Sequence, residues 1–229
     1  LGRVLATAGA QVISGLALGI DVAAHQGAVL AGGTTFAVLA GGVDLCYPKQ
    51  NFNTYVDIMR NGGVISEFPD NTLTRPGMFP LRNRIISGLC DAVIIVEAGM
   101  KSGSLITAAQ ALEQNRQVYA VPGRIGDGNS EGCNHLIWQG AQIVCSYDDL
   151  LAELDLDISD STKTNEKNIL LASDEKMLYS QLLDFSPKSL ETLIKETGMS
   201  QMQVFQALLT LELKGLIKEI SKNFYIRIL

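Results

Sequence analysis

The sequence predicts an α/β fold: a Rossmann-like, doubly wound and mostly parallel sheet followed by a small winged-helix domain. Three observations predict it. Short β-branched runs alternate with helical patterns from residue 11 to about 154, as in a parallel sheet covered on both faces. Residues 155–173 then lose periodicity in favour of Asp, Ser, Thr, Asn and Lys. From Asp174 onward, three amphipathic helical patterns precede two short strand-like runs.

Taken in order, strands are expected at Gln11–Ser14, Thr35–Ala40, Gly63–Ser66, Ala92–Glu97, Gln117–Val121 and Ala141–Val144. Helices are expected at Ile20–Leu30, Asn51–Asn61, Leu81–Leu89, Ser104–Gln114, Glu131–Gln139 and Asp148–Leu154. Gly32-Gly33, Gly62-Gly63 and Gly140 stand where left-handed helix ends belong. Residues 1–154 therefore form one domain, 155–173 a linker and 174–229 a second domain. In the second, Met177, Leu178, Leu182 and Leu183 mark one helix, and Leu190, Leu193 and Ile194 another that ends at Gly198. Val204, Phe205, Leu208, Leu209 and Leu211 mark a third, from Met202 to Lys214 and closed by Gly215. Two strands around Ser221-Lys222-Asn223 complete a winged-helix pattern.

Composition narrows the function. The 229 residues are 47% hydrophobic and 18% charged, with a net charge of −6. That balance opposes a broad basic surface gripping duplex DNA, so any phosphate contact must be local. No apolar run reaches the ~20 residues of a membrane span. The start, Leu1-Gly2-Arg3-Val4, lacks a signal-peptide pattern, and a cytoplasmic protein is expected. Cys46, Cys90, Cys133 and Cys145 form no CxxC pair, and the only histidines are His25 and His135. Buried free thiols are expected rather than a zinc or redox site, and no metal or cofactor is expected.

Ligands of doubly wound sheets sit beyond the carboxyl ends of the strands, which directs attention to four turns. The first, Ser14-Gly15-Leu16-Ala17-Leu18-Gly19-Ile20-Asp21, and the second, Ala40-Gly41-Gly42-Val43-Asp44, offer Gly15, Gly19, Gly41 and Gly42 for close approach of an anion to backbone N–H groups. The third leads into Phe79-Pro80-Leu81-Arg82-Asn83-Arg84. Arginines at a helix start oppose the macrodipole, so Arg82 and Arg84, with Asn83, read as phosphate ligands. A salt bridge to Glu67, Asp70 or Asp91 is the competing reading. The fourth turn, Lys101-Ser102-Gly103-Ser104, adds a cation, hydroxyls and N–H groups at a helix start, against a plain N-cap. Neither a Walker P-loop nor a GxGxxG motif is present.

The stretches at 14–21, 79–86, 102–107 (Ser-Gly-Ser-Leu-Ile-Thr) and 121–123 (Val-Pro-Gly) closely resemble the bacterial DNA-processing protein A family, DprA or Smf, over nearly residues 1–154. Residues 174–229 resemble its winged-helix domain. The resemblance implies single-stranded DNA binding, protection of incoming DNA, loading of the recombinase RecA in natural transformation and recombination, and homodimerisation through the Rossmann-like domain. It implies DNA contacts at Gly41, Gly42, Phe79 as a base-stacking aromatic, Arg82, Arg84 and the Ser102–Ser104 turn. Against the family pattern the chain starts inside the first helix, so a central strand with its Gly-x-Arg turn is not contained in it, nor is an N-terminal helical domain.

Two rival readings remain. Phosphoribohydrolase-like nucleotide enzymes resemble the same fold but carry a glutamate where this chain has Gln110, which exchanges no proton. His25 is then the one conceivable base, and on an amphipathic helix it reads better as a packed residue. A winged-helix regulator with a ligand-sensing domain is the other. Its recognition helix, Gln201–Lys214, offers Gln201, Gln203 and Gln206, and residues 174–229 hold seven acidic and seven basic side chains, weak for duplex binding. The expectation is a DNA-binding protein and not an enzyme.

Overall fold

In a computed structural model, which describes residues 1–156, 172–182 and 187–227, the chain divides into two compact units, Leu1–Lys163 and Thr164–Leu229. The first begins with helix α1 (Gly2–Thr7) and strand β1 (Val12–Ser14), then alternates α2 (Ile20–Leu30), β2 (Thr35–Val38), α3 (Phe52–Asn61) and β3 (Gly62–Ile65). A long loop leads to α4 (Met78–Leu89), β4 (Ala92–Ile95), α5 (Gly103–Glu113), β5 (Gln117–Ala120), α6 (Glu131–Trp138), β6 (Gln142–Ile143) and α7 (Tyr147–Glu153). Every strand pair is parallel, as short apolar strands separated by helices require.

The expected single sheet is two. Strands run in the order β1-β2-β3 in one and β4-β5-β6 in the other. The chain thus winds outward from β1 on one side and from β4 on the other, and between these two edges lies a cleft of about 630 Å3. Leu1 before α1, Leu5 within it, and Asn83 and Ile86 of α4 bound it. The cleft runs the length of both strand edges, from Gln11 and Ala92 to Gly19 and Gly103, and only its carboxyl end lies where ligands of a doubly wound fold gather.

Each sheet has its own core. Leu16, Ala37, Leu39, Tyr55 and Ile58 pack around β2. Val93, Ile95, Ala108, Ala111, Val118 and Ala120 pack around β4 and β5. A further cluster of Tyr119, Val144 and Leu150 takes in Leu5 of α1 and Leu1 just before it. Gly32 and Gly140 have positive φ at helix ends as expected, at +68° and +107°. Gly62 does not: its φ of 174° is extended, and its bare α-carbon lets β3 lie against the Thr35 carbonyl. All four cysteines are free, but only Cys133 is buried; Cys46 and Cys90 are half-buried and Cys145 is exposed.

The second unit contains α8 (Ser173–Ser180), β7 (Lys188–Ser189), α9 (Leu190–Thr197), α10 (Gln201–Leu213), β8 (Ile217–Ser221) and β9 (Phe224–Arg227). The sheet is antiparallel in the order β7-β9-β8, and β7 was not foreseen. Leu178, Leu182, Leu193, Val204, Leu208 and Leu211 form its core. Ser200 caps α10 in a capping box with Gln203. Most of the expected linker, Asp155–Ser173, lies outside the described residues, as do Leu183 and the end of the last expected strand.

Candidate functional site

The first glycine turn does present N–H groups to an anion, but the chain supplies that anion itself. Asp21 Oδ2 accepts hydrogen bonds from Gly15 N–H (3.0 Å) and Ala17 N–H (3.2 Å). Between them Leu16 is fully buried with φ +56°. Gly19, with φ +88°, precedes α2 and lines the cleft between β1 and β4. Gly15 is buried against the Arg82 guanidinium, which occupies the space where a Cβ would stand.

Arg82 is 5% exposed. Its Nη1 donates to the Gly15 carbonyl (2.7 Å) and to the Val38 carbonyl, and its Nε donates to Asn83 Oδ1 (3.1 Å). These carbonyls end β1 and β2, so α4 is pinned to that sheet. Burial pulls the Arg82 pKa down, partly offset by Asp21. The guanidinium also lies 5.8 Å from the centre of the Phe79 ring, whose other neighbour is Tyr47 at 6.0 Å. Arg84 points elsewhere. Its Nη2 meets both Glu67 carboxylate oxygens, at 2.5 and 2.6 Å, on an exposed surface.

The fourth turn is built differently from a plain cap. Ser102 Oγ accepts from Gly99 N–H (2.9 Å) rather than from the first turn of α5. The N–H groups of Gly103 and Ser104 thus start α5 without a side-chain cap, facing the same cleft as Phe79, Arg82 and Asn83. Lys101 is exposed beside them. Gly41 and Gly42 are not part of this gathering. Both are buried under the loop from Pro69 to Thr74, Gly42 N–H donates to the Thr72 carbonyl (2.9 Å), and a Cβ on Gly41 would meet Thr74 Oγ1 at 2.6 Å. Here the glycines admit a neighbouring loop instead of an outside anion.

His25 is buried and neutral. Thr35 Oγ1 gives its proton to the Val12 carbonyl (2.7 Å), so it accepts from His25 Nδ1 (2.7 Å), which fixes the tautomer and leaves Nε2 buried without a partner. Burial, reinforced by Arg82 and opposed by Asp21, pushes its pKa down to about 4. Gln110 is spent on structure as well: its Nε2 donates to the Pro80 carbonyl (3.0 Å) and ties α5 to α4.

Three residues at this edge were not singled out as site residues from sequence. Tyr47 follows the second turn and reaches Phe79. Arg75 and Arg124 are exposed in the loops after β3 and β5. Their shared signal is position: each stands in a loop that follows a parallel strand, where side chains reach the ligand edge.

Comparison with known proteins gives one answer. Residues 1–155 match the family described as DNA recombination-mediator protein A, and residues 163–221 match the DprA winged helix domain. The DNA processing protein DprA of Streptococcus pneumoniae is 49% identical over 144 residues, covering 63% of this chain and 51% of that protein. Protein Smf of Escherichia coli is 36% identical over 228 residues, covering 96% of this chain and 60% of that protein. The chain thus spans about half to three fifths of the length of these relatives. The solved structure of the S. pneumoniae protein superposes with a TM-score of 0.60 at 45% identity, over 66% of this chain and 55% of that one. DNA processing protein A from Helicobacter pylori, described by its single-stranded DNA binding mode, superposes with a TM-score of 0.63 at 32% identity, over 69% and 72%. The chain belongs to the DNA recombination-mediator protein A family, DprA or Smf.

Proposed function

We propose that this chain binds single-stranded DNA across the carboxyl edge of its first unit and serves DNA processing and recombination. The observation that carries the reading is convergence. Phe79, Arg82 and Asn83 from α4, Gly103 and Ser104 from α5, and Ser102 just before it line the carboxyl end of one cleft. An aromatic face, a helix N-terminus and nearby exposed cations suit a flexible backbone with splayed bases better than a stiff duplex. Lys101 takes a phosphate beside the α5 start, Arg84 takes one outside the cleft by exchanging its Glu67 partner, and Arg82 shapes the floor and orients Phe79. The net charge of −6 fits such a local grip. The H. pylori relative supports the choice of ligand.

Protection of incoming DNA, delivery of the strand to RecA and homodimerisation through the first unit complete the reading, and a cytoplasmic place goes with them. Among the described residues no helix is long and apolar enough to cross a membrane. The engagement of Gln110 and His25 in packing supports a binding protein over a nucleotide hydrolase. On α10, Met202, Phe205, Leu209 and Leu213 are exposed, which favours a protein contact for the second unit over duplex recognition.

The test is a salt-dependent binding titration with single-stranded and duplex oligonucleotides of one sequence. Tighter single-strand binding with a negative salt slope is expected. Equal affinity persisting at moderate salt overturns the reading.

A further inference from the structure

The loop after β5 holds two exposed side chains on a rigid support. The Asn134 amide of α6 grips Gly123 both ways: its Oδ1 accepts from Gly123 N–H and its Nδ2 donates to the Gly123 carbonyl, both at 3.1 Å. Asp127 N–H donates to the Arg124 carbonyl (3.1 Å), closing a turn in which Gly126 supplies a positive φ of +87°. The Asp127 carboxylate is spent within the loop, accepting from Asn129 N–H (3.1 Å) and Ser130 Oγ (3.4 Å). At its far end the loop lies on the turn before α5: Ala98 N–H donates to the Asn129 carbonyl (2.8 Å), and Gly132 N–H to the Ala98 carbonyl (2.7 Å). At the apex of this frame stand Arg124, exposed, and Ile125, exposed in full.

A lone exposed isoleucine is ordinary by itself, but this one stands next to a cation that belongs to a series. Arg60 and Arg84 face carboxylates, and Arg82 and Arg116 donate to backbone carbonyls. Lys49, Arg75, Lys101 and Arg124 pair with no carboxylate among the described residues. Each stands in the connection after a different parallel strand, β2, β3, β4 and β5 in turn. Four cations that the fold leaves unneutralised, in a chain of net charge −6, thus gather on one edge, where a polyanion would neutralise them. β5 is one strand farther from the cleft than β4, a step of about 5 Å. A DNA strand leaving the cleft past Ser104 and Lys101 therefore meets Arg124 and Ile125 next. The two side chains ask for different things. A guanidinium binds phosphate, which single and double strands both offer, whereas Ile125 needs an apolar surface, and an unpaired strand turns its base faces outward.

We propose that the Arg124–Ile125 tip is where the bound single strand leaves the cleft: Arg124 takes a phosphate, Ile125 packs on the face of a neighbouring base, and the strand runs from α4 across the α5 start to the β5 side. The inference rests on the single-stranded DNA reading above. It adds to that reading a path for the strand and a contact that duplex does not satisfy.

Fluorescence anisotropy with oligo(dT) of increasing length tests it on the intact chain. The shortest strands that bind fill the cleft alone, and the parent, Arg124→Ala and Ile125→Ser hold them equally. Longer strands reach the tip, and there each variant binds roughly fivefold more weakly than the parent. Arg124→Ala also lowers the salt slope on long strands by about 0.7, whereas Ile125→Ser leaves it unchanged. On a duplex of the same length Arg124→Ala weakens binding and Ile125→Ser does not. Both variants keep the parent's melting midpoint, and Arg124→Gln carries the test if Arg124→Ala does not. Parent-like binding of long strands by both variants, or an equal loss at every length, overturns the exit path. A loss confined to Arg124→Ala overturns the base contact of Ile125. Failure of the parent chain to bind any of the strands overturns both the exit path and the reading beneath it.

Discussion

Arg82 and Arg84 share a motif but not a role, because residues two apart lie on opposite sides of a helix. Arg82→Ala leaves the Gly15 and Val38 carbonyls without their donor, and a loss of about 3 kcal/mol in stability is expected by urea denaturation. Lysine does not rescue it, since one ammonium cannot reproduce the guanidinium fork. Arg84→Ala removes an exposed ion pair with Glu67 and changes stability by less than about 1 kcal/mol, while weakening DNA binding and lowering the salt slope by about one. If Arg84→Ala binds like the parent, the Glu67 pair is its whole purpose. The sequence marked both arginines as anomalous at a helix start. It could not say which was buried, because that depends on a carbonyl pair contributed by residues 67 and 44 positions away. His25 gives a pH test. Its pKa falls from 6.5 to about 4 on folding, so above pH 6.5 it is neutral in both states. Between those values the unfolded chain binds a proton that the folded chain refuses, and about 3 kcal/mol of stability is lost as pH falls through the window. His25→Asn, which keeps a donor toward Thr35 but does not titrate, flattens the urea midpoint measured between pH 7 and pH 4.5.

Among the elements, α5 owes its open N-terminus to a small substitution of partners. Ser102 turns its hydroxyl back to Gly99 and holds the loop closed in front of the helix. Ser102→Ala frees that N–H, costs about 1 kcal/mol and lowers single-strand affinity through a looser turn, which thermal melting and anisotropy together would register. Removal of the charge next door, Lys101→Ala, lowers affinity without moving the melting midpoint. The helices were legible because their apolar spacing is long and regular; α2 spans Ile20–Leu30 as read. Strand ends were less so. Leu39 and Ala40 continue the apolar run after β2 and are buried, but there the backbone turns toward the glycine pair. On α10 the sequence offered two adjacent apolar stripes. Val204, Leu208 and Leu211 took the core and left Phe205 and Leu209 outside, a choice that hydropathy alone cannot make.

At the scale of the whole molecule, alternation of strands and helices was enough to read a doubly wound fold, whereas of the four turns read as its ligand edge the second is closed under a neighbouring loop. The role of the half-buried acid in the first turn escaped notice, since Asp21 looks in sequence like any favourable residue at a helix start. Homodimerisation through the first unit predicts twice the monomer mass by light scattering for the intact chain and for a form ending at Leu154. A monomer for the shorter form alone would move the contact to the second unit, and monomers for both would discard the dimer.

The edges of β1 and β4 that face each other across the cleft also set how the first unit opens. β2 and β5 have neighbours on both sides, whereas β1 and β4 have one each. α4 links the two sheets: its Arg82 donates to the Gly15 carbonyl after β1, and its Pro80 carbonyl accepts from Gln110 of α5. Amide hydrogen exchange should therefore find β2 and β5 the slowest of their sheets, with the edge strands β1, β3, β4 and β6 released earlier. Arg82→Ala should speed exchange in β1 and β2, whose carboxyl ends it ties to α4, and a strand bound along the carboxyl edge should slow it.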